Sequence, residues 1–182
     1  NIKPFAPAVV DAINKASDTH GLSKELMFTI ANIESGGNPT ARNTKSGASG
    51  LYQILPKYFG DPYTVNNRTV WDPYTNADAA AKELSKKIKS LSSVIGRTPT
   101  NPQIYMSHNQ GNQGFKVIYT ACQQFGNLGG KESLQQAANS LGYSRRTGSK
   151  IYRNMRGNKG NHPCQFMDSW VDIYNSKKTS YA

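Results

Sequence analysis

Glu34 is the residue whose surroundings most invite chemistry. It follows Leu26, Met27, Ile30 and Ile33, an apolar stripe at helical spacing, and precedes Gly36-Gly37-Asn38-Pro39, which stops a helix. A carboxyl near the C-terminal end of such a helix meets two effects of one sign. Desolvation by the core disfavours its charged form. The negative end of the helix dipole disfavours it too. Both raise the pKa, as a general acid working near neutral pH requires. Position alone, however, favours an ordinary glutamate exposed to water in a last helical turn.

Later segments separate the two readings. Ile33-Glu34-Ser35-Gly36-Gly37-Asn38-Pro39 is followed by Gly47-Ala48-Ser49-Gly50-Leu51-Tyr52-Gln53-Ile54-Leu55-Pro56. Asp72-Pro73-Tyr74-Thr75-Asn76 then precedes an Ala-rich helix, and Tyr105-Met106-Ser107-His108-Asn109-Gln110-Gly111 comes last. In this order and spacing, over about residues 20 to 115, the chain resembles the goose-type-lysozyme-like lytic transglycosylases. Each motif alone is weak, and it is their order that is specific.

The resemblance implies roles for individual residues. Glu34 matches the catalytic Glu, and Ser35 the following Ser, which orients the carboxyl or a substrate group. Gly50, Leu51 and Gln53 match the second motif, where the Gln lines the sugar groove. Tyr52 stands where the family often has Met, so a substrate contact there is expected to differ. Asn109 and Gly111 match the third motif. Its usual Tyr-Asn adjacency is replaced by His108-Asn109, with Tyr105 four positions before Asn109, so either ring is a candidate for the family's Tyr. His108 is a candidate groove donor and equally a packing residue. Tyr152 is a candidate for a late groove-lining Tyr.

The chemistry of the residues is compatible with these roles. Glycosidases usually need two carboxylates, yet the stretch from Gly36 to Gly50 contains no Asp or Glu. One Glu suffices if the substrate's own 2-acetamido group attacks the anomeric carbon. The expected reaction therefore cleaves the MurNAc-(β1,4)-GlcNAc bond of peptidoglycan and yields 1,6-anhydromuramoyl products, without metal or cofactor. Amides such as those of Gln53 and Asn109 suit sugar acetamido and hydroxyl groups. Trp71 suits a sugar face or the core. The runner-up is a hydrolysing muramidase, which needs a second carboxylate, with Asp61 the best candidate. Two other readings are a basic nucleic-acid-binding module and an assembly protein on a lysozyme-like scaffold that no longer cleaves. No zinc-finger spacing or RNA-recognition signature supports the nucleic-acid reading.

The elements that must position these residues are helical almost throughout. Pro7 starts a first helix and Gly21 ends it; Ser23 caps the second. Leu51 to Phe59 reads as partly helical, broken by Pro56, and Gly60 to Tyr74 as irregular. Asn76 is expected to cap a long helix, and Pro102 to start another that Gly111 and Gly114 interrupt. Two shorter helices are expected near Leu134–Leu141 and Ser149–Met155, and a last one from Pro163, with the final residues frayed. The expected architecture is mainly α: a lysozyme-like single domain over 1–182 with a substrate groove between helices, core motifs at 20–115 and a C-terminal helical part at 116–182.

Composition bounds the partners. The net charge of +11 in 182 residues, with the densest basic segment from Arg145 to Lys159, favours an anionic partner. Peptidoglycan strands and anionic envelope polymers fit the motifs better than nucleic acid. No apolar run is long enough for a membrane span, and a monomer is expected. No signal-peptide pattern opens the chain at Asn1, which fits a mature or excised fragment. With the charge, this leans towards a phage lysin or virion-associated lysin acting on the bacterial wall. Cys122 and Cys164 lack metal-ligand spacing. Cys122 reads as a buried free thiol, or as bridged to Cys164 if the protein is exported.

Overall fold

The computed structural model describes residues 4–55, 64–65, 68–127, 130–156 and 162–179. Among these it is mainly helical. The elements are α1 (Pro7–His20), α2 (Lys24–Ser35), β1 (Thr64–Val65), β2 (Arg68–Thr69), α3 (Pro73–Ile95), α4 (Asn101–Phe125), α5 (Lys131–Ser140), α6 (Arg145–Arg156) and α7 (Pro163–Lys177). The two short strands pair antiparallel, Thr64 opposite Thr69 and Val65 opposite Arg68. The chain divides into two compact units: residues 1–86 with 177–182, and residues 87–176. The border between residues 86 and 87 falls inside α3.

Local chemistry explains most helix ends. Pro7 begins α1, where its missing N–H costs nothing, and Gly21 closes it in the left-handed region. Ser23 caps α2 by accepting from Leu26 N, and Gly36 terminates it at φ 63°. Thr100 and Gln103 form a reciprocal capping box at the start of α4.

The first unit packs α1 on α2. Val9, Ile13, Leu26, Met27, Phe28 and Ile30 are buried there, and the Phe5 and Phe28 rings meet at 6.2 Å. The chain's last described residues return to α2. Thr29 Oγ1 donates to Thr179 O at 3.2 Å and accepts from Thr179 N at 3.0 Å, while Asn32 Nδ2 donates to Lys177 O. These bonds tie the chain to α2 as far as Thr179; of the final residues expected to fray, 180–182 lie outside the described residues.

The second unit gathers α4, α5, α6 and α7 around Phe115, Ile118, Leu134, Ala137, Met155 and Phe166. Helices α5 and α6 approach so closely that a Cβ on Gly148 would fall 2.5 Å from Leu134 O. Of the two readings for the cysteines, the bridge is the one formed. Cys122 near the end of α4 joins Cys164 in α7, with Cα atoms 4.8 Å apart. The crosslink spans 42 positions. On chain entropy such a loop stabilises the folded state by about 4 kcal/mol. Replacing both cysteines by Ser is expected to lower stability in urea unfolding by about that amount, in proportion to the loop entropy. A loss under about 1 kcal/mol would contradict this role for the bridge.

Two sequence expectations need correction. Residues 51–54 are not helical: they form turns closed by a Ser49–Ile54 bridge. Gly50 at φ 79° and Gln53 at φ 51° are the cause, since consecutive helical dihedrals are impossible across them. The remainder of that segment, from Pro56, lies outside the described residues. Nor does Asn76 cap α3. The helix begins three residues earlier, where the Asp72 carboxylate accepts from Thr75 N at 3.2 Å and Thr75 Oγ1 at 2.7 Å.

Candidate active site

In the first unit the site is built on the end of α2. Glu34 is half-buried one residue before the helix stops. Desolvation pushes its carboxyl up from 4.5 to about 7. The last turn of α2 contains no basic residue that would oppose this. A carboxyl with that pKa is substantially protonated at neutral pH yet gives up its proton readily, so it can donate and then accept within one cycle.

Ser35 couples this helix end to the second motif. Its Oγ donates to Leu51 O at 2.7 Å and lies 3.2 Å from Ala31 O. The hydroxyl hydrogen is therefore directed at backbone carbonyls, and the residue fixes where the second motif begins relative to Glu34.

The intervening loop holds itself with short polar side chains. Asn38 Oδ1 accepts from Thr40 N at 3.0 Å, and Asn43 Oδ1 from Lys45 N at 2.9 Å. Gly50 N donates to Ala41 O at 2.8 Å, closing the loop on itself. These Asn side chains imitate backbone turns, which explains an ordered loop without a helix or long strand.

Asn76 locks the second motif from below. It is fully buried, and its Oδ1 accepts from Tyr52 N at 2.8 Å while its Nδ2 donates to Ser49 O at 3.1 Å and Val70 O at 3.0 Å. A Cβ on Gly50 would strike the Asn76 amide and come within 2.6 Å of Val70 O. Gly50 is thus required twice, by its left-handed backbone and by this close approach. Sequence reasoning gave Asn76 the wrong task. An amide within an Ala-rich, otherwise inward-facing stripe was the available signal.

The other predicted residues of this unit divide by exposure. Gln53 is half-buried, with Nε2 donating to Ala41 O at 3.0 Å and Gly50 O at 2.9 Å. Leu51 and Tyr52 are buried, at 0% and 1% exposure. The Tyr52 hydroxyl donates to Met27 O at 2.8 Å, and burial pushes its pKa well above 10. Both side chains face the core, not solvent. Asp61, the candidate second carboxylate, lies outside the described residues.

Tyr105, His108, Asn109 and Tyr152 belong to the second unit. Tyr105 is buried, its ring 5.7 Å from Trp170 and 6.1 Å from Tyr174. Desolvation first, and then the Lys87 charge, pushes His108 down to about 4, so its ring is neutral at pH 7. Asn109 is exposed on α4, and Tyr152 on α6 packs against the hydrophobic core of this unit. Among the described residues no group of three or more His, Cys, Asp or Glu is placed to hold a metal ion.

The family model of the transglycosylase SLT domain matches residues 11–121. No curated protein matches the chain in sequence. The matched span covers well over half of the 182 residues and contains Glu34, the Gly50–Gln53 turn and the Asn109–Gly111 segment. The chain belongs to the transglycosylase SLT domain family, whose members act as lytic transglycosylases on peptidoglycan.

Proposed function

We propose that this protein cleaves the MurNAc-(β1,4)-GlcNAc bond with Glu34 as its only protein carboxyl in the chemistry. The supporting observation is the Glu34 carboxyl, raised to about 7 by desolvation, followed by a loop from Gly36 to Gly50 with no acidic residue. Glu34 donates its proton to the glycosidic oxygen as the bond from the muramoyl anomeric carbon breaks. The carbonyl oxygen of the muramoyl acetamido group bonds to that carbon. The Glu34 carboxylate then takes the proton of the muramoyl 6-hydroxyl, whose oxygen displaces the acetamido oxygen. The 1,6-anhydro ring closes, Glu34 regains its proton, and no water is consumed.

In this reading Ser35, Asn76 and Gly50 hold the frame, as do the side chains of Leu51 and Tyr52. The Gln53 amide oxygen meets sugar N–H or O–H groups. Tyr105, His108, Asn109 and Tyr152 are proposed as sugar contacts on the motif resemblance. The Cys122–Cys164 bridge fits a chain working outside the reducing cytosol, at the bacterial wall. The positive charge fits adsorption to an anionic envelope.

The competing hydrolytic reading requires a second carboxylate, and Asp61→Asn distinguishes the two. Release of soluble fragments from purified peptidoglycan is expected to stay within about threefold of wild type, because a loss of about 0.6 kcal/mol is what an uninvolved charge explains. A loss of about a hundredfold or more would support hydrolysis instead.

A further inference from the structure

The helix that carries Glu34 is gripped on another side by a part of the chain that the chemistry does not use. Glu25, Thr29 and Asn32 stand at i, i+4 and i+7, on one face of α2. Lys177 to Thr179, which belong to the same unit, contact that face. Lys178 Nζ pairs with Glu25 Oε2 at 3.5 Å, and Asn32 Nδ2 donates to Lys177 O at 3.2 Å. Between these contacts Thr29 Oγ1 donates to Thr179 O at 3.2 Å and accepts from Thr179 N at 3.0 Å. By helix geometry Glu34 lies about 140° around α2 from Thr29 and about 7.5 Å further along its axis.

The central pair fixes a register. Thr29 is the one polar side chain among the buried residues of α2. It is 0% exposed, and Thr179 is 9% exposed. A buried hydroxyl needs partners, and a hydroxyl on a helix finds the nearest one on its own helix, the carbonyl four residues back. Ser17 of α1 is equally buried and does this, donating to Ile13 O at 2.8 Å. Thr29 instead commits both its donor and its acceptor to one residue outside α2. Shifting α2 by one position would set Phe28 or Ile30 against Thr179 and leave a buried N–H and C=O unpaired, at a cost of about 1 to 3 kcal/mol for each group. At the end of the same helix, Ser35 Oγ holds Leu51 O. The helix is thus fixed on its face by Thr29 and at its end by Ser35, with Glu34 between these two positions in the chain.

We propose that Thr29 and Thr179 form a positioning lock that sets where α2 presents Glu34, so that turnover depends on a hydroxyl that touches no substrate. The proposal rests on the catalytic reading of Glu34 and adds a positioning residue to it. A reacting group displaced by about 1 Å loses up to about a hundredfold in rate, even when the cause lies away from the chemistry.

Steady-state kinetics of the full chain on soluble peptidoglycan strands test it, at a temperature where circular dichroism shows each variant folded. Thr29→Val keeps the shape and removes the hydroxyl. It is expected to lower kcat about tenfold or more while KM stays within about twofold, and Thr29→Ser, which keeps the hydroxyl, should restore wild-type kcat. A purely structural hydroxyl would lower stability and leave kcat of the folded enzyme alone. A Thr29→Val kcat within about twofold of wild type therefore overturns the proposal, and so does a loss that Thr29→Ser shares. If Thr29→Val does not fold, Asn32→Ala at the exposed contact takes its place: a kcat lowered about threefold at unchanged KM supports the lock, and an unchanged kcat overturns it. Titration of the Glu34 carboxyl by NMR separates this proposal from the catalytic reading. Its midpoint should fall from about 7 towards 4.5 when the lock is opened, as water reaches the carboxyl, and stay in place with Thr29→Ser. Should Glu34→Gln turn over peptidoglycan like wild type, the catalytic reading fails; a midpoint lowered by Thr29→Val then still supports the lock, and an unmoved midpoint overturns it.

Discussion

Glu34→Gln is expected to reduce turnover of peptidoglycan by about a thousandfold or more, the usual contribution of a general acid that also serves as base. The amide keeps the shape and cannot supply the proton. The loss should fall on kcat, since no binding contact is removed. The same variant carries a second, independent signature. The folded-state pKa of about 7 lies above the ordinary 4.5. A carboxyl with a raised folded pKa contributes stability that is fully present below about pH 4.5 and is lost as pH rises through 7. Glutamine does not titrate. The variant should match wild type in stability near pH 4, and exceed it above pH 7 by on the order of 3 kcal/mol. Urea unfolding at the two pH values measures this. A variant that clears walls at the wild-type rate would remove Glu34 from the chemistry. Equal stability of the two proteins above pH 7 would remove the desolvated carboxyl. In wild type, kcat/KM should fall as pH rises through about 7, because the protonated acid is the active form.

Asn76→Asp carries the second large effect. The amide donates to two carbonyls, Ser49 O and Val70 O, and accepts from Tyr52 N, in a site with no solvent exposure. A carboxylate there accepts but cannot donate. It would set an anionic oxygen against two carbonyl oxygens in the interior, at a cost of about 3 to 5 kcal/mol. Asn76→Ala leaves Tyr52 N–H and Val70 O without these bonds, while Ser49 O keeps its bond from Ile54 N, and it should cost about 2 to 3 kcal/mol. The Asp variant should recover part of its loss at low pH, where a protonated carboxyl regains one donor, whereas the Ala variant should not. Chemical denaturation across pH checks this contrast. Losses under about 1 kcal/mol, or identical pH dependence of the two variants, would contradict the role given to Asn76.

The same residue shows where sequence reading reaches its limit. Pro7, Ser23, Gly36, Pro102 and Pro163 mark helix ends correctly because their effects are local: a missing N–H, a short capping oxygen or a permissive backbone. Glu34 was legible for the same reason, since its helix end and apolar neighbours lie adjacent in the chain. Asn76 was not. Its three partners lie 6 to 27 positions away, and an Asn near a helix start looks like a cap. The turn at residues 51–54 was missed because Gln53 adopts φ 51°, a choice imposed by its amide bonds to Ala41 and Gly50 and not by its residue type. Tyr52 likewise read as a substrate contact from its place in the motif, while its hydroxyl is bound to Met27 O inside the first unit. The cysteine bridge joins positions 42 apart, and spacing alone could not choose it over a free thiol.

The central claim is that one carboxyl, Glu34, cleaves the glycan and the substrate completes the reaction. Mass spectrometry of the fragments released from purified peptidoglycan tests it most directly. Fragments ending in 1,6-anhydromuramoyl residues, formed by wild type and absent with Glu34→Gln, are the expected result. Reducing-end fragments one water heavier would contradict it.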